Sequence, residues 1–125
     1  MKQPINTGSA PKPVGPYSQA VKVGGLIFTS GQIPIDPASG SLVEGIEAAT
    51  ERVMQNLDTV LKAGGSSLQR AVKTTIFLTD MGQFAKVNEV YSRFFQPPFP
   101  ARSTVQVAAL PKGVAVEIEG IFQIR

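Results

Sequence analysis

The sequence predicts an α+β domain in which two helices pack on one face of a mixed sheet. Three observations predict it. Strand-like and helix-like stretches alternate, only two stretches carry a helical apolar period, and two helices are too few to cover both faces of the sheet that the remaining strands would form. At 125 residues, 1–125 is the size of a single domain, long enough to bury a core and too short for two.

The first sixteen residues hold four prolines, Pro4, Pro11, Pro13 and Pro16. Proline donates no backbone hydrogen bond, so this arm is expected to be irregular as far as Tyr17. Ala20–Val23 and residues 26–30 are short β-prone runs about Gly24-Gly25, the pattern of a tight hairpin. Asp36-Pro37-Ala38-Ser39-Gly40 is dense in turn formers and reads as a loop. From Ile46 onward, Ala49, Val53, Leu57, Val60 and Leu61 recur at helical spacing, with Glu47, Glu51, Gln55, Asp58 and Lys62 opposite and Gly64-Gly65 as the stop. Ala71–Leu78 is rich in Val, Thr, Ile and Phe and reads as a strand.

Asp80, with Gln83 three residues later, resembles a capping box opening a second helix whose stripe carries Phe84, Val87, Tyr91, Phe94 and Phe95. The cluster Pro97-Pro98-Phe99-Pro100 ends that helix. Residues 101–108 and 114–124 read as two last strands about a turn at Leu110-Pro111-Lys112-Gly113. The final strand offers Val116, Ile118, Phe122 and Ile124 to one face and Glu117, Glu119 and Ile121 to the other. Ala71–Leu78 likewise sets Thr75 and Phe77 against Val72, Ile76 and Leu78. A sheet this apolar on both faces, with no helix left to cover the second, is expected to be buried against another subunit.

Composition excludes much chemistry. The chain has no cysteine and no histidine. Cysteine nucleophiles, Ser-His-Asp triads, thiolate metal sites and ordinary zinc sites are therefore ruled out, leaving carboxylates, Arg, Lys, Tyr, hydroxyls, amides and backbone groups. No apolar run approaches the roughly 20 residues that span a bilayer. The opening residues show neither a secretory nor an organellar pattern, so the expected location is the cytoplasm, away from membranes. The net charge of +3 is spread along the chain without a basic block, which speaks against a nucleic-acid partner.

Arg102 follows the rigid proline segment in a stretch without other charges. Its planar fork could grip a carboxylate through two parallel hydrogen bonds, or it could be a surface arginine on an edge strand. Glu117 and Glu119 share a face of the last strand. If the two last strands pair as a hairpin, Arg102 stands opposite Glu119 and diagonal to Glu117, all on one face, either as a solvated salt bridge or as a carboxylate anchor beside a group that handles water and protons. Asn88 lies in the apolar stripe of its helix, where an amide needs partners. Tyr17 and Ser30 offer hydroxyls, and Gly31 sits where backbone could approach another group closely. Lys22, Lys73 and Lys112 could form a Schiff base in principle, but no pattern desolvates any of them.

Five blocks, in order, resemble the RidA (reactive intermediate deaminase A, or YjgF) family. They are Gly15-Pro16-Tyr17-Ser18-Gln19-Ala20, Ser30-Gly31-Gln32-Ile33-Pro34, Val87-Asn88-Glu89-Val90-Tyr91, Pro100-Ala101-Arg102-Ser103, and Leu110-Pro111-Lys112-Gly113 followed by Val116-Glu117-Ile118-Glu119. The resemblance implies a homotrimer of chorismate-mutase-like subunits with sites in the clefts between them. It also implies an imine deaminase that converts 2-iminobutanoate and 2-iminopropanoate, released by pyridoxal-phosphate-dependent dehydratases, to 2-oxo acids and ammonia without a cofactor. By that resemblance Arg102 holds the substrate carboxylate and Glu117 is associated with the attacking water. The positions of Tyr17, Ser30, Gly31 and Asn88 line the cleft. Many members carry cysteine where this chain has Thr104; imine hydrolysis needs no thiol. The competing readings are a non-catalytic module that binds small carboxylates and, further off, an RNA-directed inhibitor of translation.

Overall fold

The structure is a computed structural model that describes residues 1–124. In chain order its elements are β1 (Gln3–Ile5), β2 (Ala20–Val23), β3 (Leu26–Thr29), α1 (Ile46–Ala63), β4 (Ala71–Leu78), α2 (Phe84–Ser92), β5 (Ala101–Gln106) and β6 (Val116–Gln123). The strands form one sheet in the order β1-β2-β3-β6-β4-β5. Among the described residues only β4 and β5 are paired in parallel. The mixed sheet with two helices is therefore as the sequence predicts, and most boundaries agree within two residues.

The connections explain the order. Parallel neighbours need a crossover, and α2 supplies it between β4 and β5. Helix α1 makes a second crossover, from β3 to β4, but these two strands leave a gap. Strand β6 fills the gap, antiparallel to both. Its alternation suits the place: Val116, Ile118 and Phe122 are fully buried on the helix-covered face, among Val53, Met54, Leu57 and Leu61 of α1. On the opposite face Phe28 and Val105 remain 41% exposed, in a surface that also carries Phe77, Glu117, Glu119 and Ile121.

Three expectations are corrected. The last two strands do not form a hairpin: β5 lies at the sheet edge beside β4, and β4 separates it from β6. The proline-rich arm is not irregular throughout, because Gln3–Ile5 pairs with β2, an edge position at which Pro4 is tolerated. Asp80 does cap a helical start, but its carboxylate accepts from the Gly82 amide over a 3₁₀ turn (Met81–Gln83), and α2 begins only at Phe84. The stop after α1 is as expected, with Gly65 in the left-handed region at φ 85°.

The rest of the arm is pinned by Gln19, only 2% exposed. Its Nε2 donates to the carbonyls of Thr7 (3.1 Å) and Pro11 (2.9 Å), and its Oε1 accepts from the Thr7 amide (2.6 Å). Gln19→Leu keeps the bulk but strands those three backbone groups, which should cost about 2 to 3 kcal/mol in urea unfolding. Limited proteolysis should then cut first within residues 7–14.

Candidate functional site

Two concave regions lie on opposite faces of the sheet. The first is built by β5 and α2. Arg102 pairs in register with Thr74 of β4, so its side chain emerges on the helix-covered face. There the guanidinium lies 5.0 Å from the Tyr91 ring centroid and 5.4 Å from that of Phe84, within cation-π range of both. Nη1 donates to Asn88 Oδ1 at 2.6 Å. The Tyr91 hydroxyl is itself held by Thr74 Oγ1 at 2.7 Å, in a buried contact.

The guanidinium is thus fixed on three sides while its other N–H groups stay available. A planar cation held this way is prepared to grip a carboxylate in paired geometry. Phe95, Phe99 and Pro100 extend the surface into a cavity of about 380 Å³. Asn88, placed by the sequence in the apolar stripe of α2, finds its partner in Arg102.

The second region has a volume of about 590 Å³. The loop after β3 provides Ser30 and Gly31, the arm provides Lys12 and Tyr17, and the turn before β6 provides Pro111 and Lys112. Glu117 and Glu119 project into it from β6. A Cβ at Gly31 would fall on the Glu117 carboxylate, so the absence of a side chain there is what lets the carboxylate lie against the backbone. Partial burial pushes the Glu117 carboxyl above the usual range, and the neighbouring Glu119 charge pushes the same way. Ser30 Oγ donates to the Ser18 carbonyl at 2.7 Å, which leaves the hydroxyl an acceptor toward the cavity. Tyr17 is 52% exposed at its rim.

Tyr17, Ser30, Gly31 and Glu117 are thus brought together, and Asn88 is brought to Arg102. The two groups are not brought together within one chain. Phe77 separates Glu117 from Val105 across the strands, and Arg102, three residues before Val105, points the other way. The expected single-face arrangement of Arg102 with Glu117 and Glu119 is corrected, because it depended on the hairpin. Tyr91, Phe84 and Thr74 were legible only as core or strand residues, and nothing in the sequence marks them as the bed of the arginine. Of the three lysines, Lys112 lines the Glu117 region and Lys73 lies near Glu119 on the open face, whereas Lys22 belongs to neither cavity. Among the described residues no three acidic side chains converge as metal ligands. Among the described residues no helix is long and apolar enough to cross a membrane.

The chain is a small α+β protein that carries an oriented arginine on one side of its mixed sheet and a carboxylate in a glycine-floored cavity on the other. Its similarity to known proteins is specific. The model of the endoribonuclease L-PSP family matches residues 7–124. The RutC family protein y4sK of Sinorhizobium fredii is 51% identical over 126 residues, covering 99% of both chains. The 2-iminobutanoate/2-iminopropanoate deaminase of Mus musculus is 48% identical over 122 residues, covering 97% of this chain and 90% of its own. The crystal structure of RidA from an Antarctic Psychrobacter superposes with a TM-score of 0.94 at 49% identity, over 98% of this chain and 99% of that one. This chain belongs to the endoribonuclease L-PSP family, the family of RidA.

Proposed function

We propose that this protein hydrolyses reactive 2-imino acids, among them 2-iminobutanoate and 2-iminopropanoate, to 2-oxo acids and ammonia, in sites shared between subunits of a homotrimer. The observation that carries the reading is the preset guanidinium of Arg102. It suits the one group that every 2-imino acid presents, its carboxylate. The deaminase name of the mouse relative supports the same reaction. Because Arg102 and Glu117 face away from each other within a chain, the Arg102 region of one subunit would have to meet the Glu117 region of another. The partly apolar open face of the sheet supports such an assembly.

The chemistry needs little beyond these groups. Arg102 binds the carboxylate and holds the C=N carbon toward a water beside Glu117. Water attacks the iminium carbon, the C=N π electrons pass to nitrogen, and Glu117 takes a proton from the water to give a neutral carbinolamine. Glu117 returns that proton to nitrogen. The C–N bond then breaks, the hydroxyl proton passes to the departing ammonia, and the 2-oxo acid and ammonium remain. Positioning together with general-base help of this kind is worth about 10² to 10⁴ in rate. No cofactor enters the scheme. A pyridoxal-phosphate-dependent dehydratase is the kind of enzyme that would release the substrate, and the cytoplasm is the compartment the sequence favours.

The test is a coupled assay. A threonine dehydratase with its substrate generates the imine, semicarbazide traps what remains, and this protein is added last. Added protein should lower semicarbazone formation in proportion to its concentration. Unchanged trapping, with a 2-oxo acid still bound, would point instead to a carboxylate-binding module. Light scattering should give three times the 13.3 kDa chain mass, and a mass of one chain at micromolar concentration would overturn the shared site. The family's descriptive name also carries RNA cleavage. RNA affinity that falls steeply with salt would favour that activity over the deaminase.

A further inference from the structure

We infer that the Arg102 cavity selects ligands that join a carboxylate to a branched or aromatic apolar side chain, with Phe99 as the residue that sets the preference. The inference rests on the deaminase reading for its chemistry, but it concerns a property that reading leaves open. Its basis is the state of each polar group in the cavity. Asn88 Oδ1 is taken by Arg102, the Tyr91 hydroxyl by Thr74, and Ser92 Oγ donates to the Glu89 carbonyl at 2.7 Å. The Arg102 N–H groups left free by Asn88, together with the Asn88 Nδ2 amide beside them, are thus the donors the cavity offers a ligand, and they ask for an anion.

The rest of the wall is apolar. Phe95 is 8% exposed and packs on Tyr91 with ring centroids 4.7 Å apart, forming a fixed floor. Phe99 is 64% exposed, between Pro98 and Pro100, whose rings restrict the backbone that presents it. A cavity of about 380 Å³ with one cationic end and an aromatic wall fits an anionic head with an apolar body. In a 2-imino acid the carbon next to the carboxylate bears the side chain, so anchoring the carboxylate on Arg102 sets that side chain beside the aromatic wall. A methyl group would leave the wall wet, whereas an isobutyl or benzyl group would cover it. Each added methylene in such a pocket is worth about tenfold or more in discrimination.

The experiment uses the full chain with imino acids generated by an amino-acid oxidase from alanine or leucine, catalase present, and semicarbazide as the trap. The parent protein should hydrolyse the leucine-derived imine with kcat/KM at least about tenfold higher than the alanine-derived one. In Phe99→Ala that ratio should fall about tenfold, and Phe99→Leu should restore most of it. Calorimetry with the unreactive 4-methyl-2-oxopentanoate and pyruvate should show the same order. Equal rates in the parent, or an unchanged ratio in folded Phe99→Ala, would overturn the inference. So would a loss of oligomer mass in Phe99→Ala without a change in ratio, since Phe99 would then be covered by a second copy. If neither imine is hydrolysed but calorimetry still favours the bulky acid, the deaminase reading falls and the ligand selectivity stands.

Discussion

Arg102→Ala should lower kcat/KM for 2-iminobutanoate about a hundredfold or more, some 3 kcal/mol, while the protein keeps its fold and mass. The size follows from the role proposed for the residue. Its guanidinium is already oriented by Asn88, Tyr91 and Phe84, so little ordering remains when a carboxylate arrives. Arg102→Lys should be nearly as damaging, because an ammonium keeps the charge but cannot hold Asn88 and a carboxylate in one plane. Tyr91 supplies a check on the mechanism. Tyr91→Phe keeps the ring under the guanidinium and should be mild, whereas Tyr91→Leu removes the π face and should cost about 1 kcal/mol in kcat/KM. That cost should vanish in an Arg102→Ala background if Tyr91 acts through the arginine. Parent-like turnover of 2-iminobutanoate by folded Arg102→Ala would remove Arg102 from the site.

The elements were legible because their periods are long enough to read. Helix α1 spans eighteen residues with an unbroken apolar stripe, and β4 has the bounds its composition predicts. Pairing was less legible. Consecutive strands joined by a turn invite a hairpin, and residues 107–115 contain one, but strand order is set by the two helical crossovers and the gap they leave for β6. Arg102 and Glu117 would share a face only in a pairing of β5 with β6, which does not occur. Strand β1 was missed because three residues including Pro4 carry no period. The candidate site residues are marked by the resemblance to a family, and only part of their surroundings was legible. That Gly31 must be glycine could be suspected from its neighbours, but the carboxylate it accommodates lies 86 residues further along the chain. The bed of Arg102 consists of residues that sequence alone assigns to the core, because an aromatic on an apolar stripe looks the same whether it touches leucine or a cation.

Glu117→Gln should retain binding of a 2-oxo acid and slow imine hydrolysis by about 10² or more, since an amide still hydrogen-bonds but accepts protons poorly. The pH profile provides the sharper test. Only the carboxylate can serve as base, so activity should rise with pH through the Glu117 pKa, and burial together with Glu119 places that limb above the ordinary glutamate range. Removing the Glu119 charge in Glu119→Gln relieves one of the two causes, so the limb should move to lower pH; burial, the larger cause, remains, so it should not return fully to the ordinary value. Gly31→Ala should act on the same group by another route. Its methyl would occupy the space of the Glu117 carboxylate and force that side chain aside, so hydrolysis should drop about as far as in Glu117→Gln. The Arg102 half of the site is untouched by either change, and calorimetry should show the carboxylate affinity little altered. A Gly31→Ala protein with parent turnover and an unmoved pH limb would show that the water is activated by some other group.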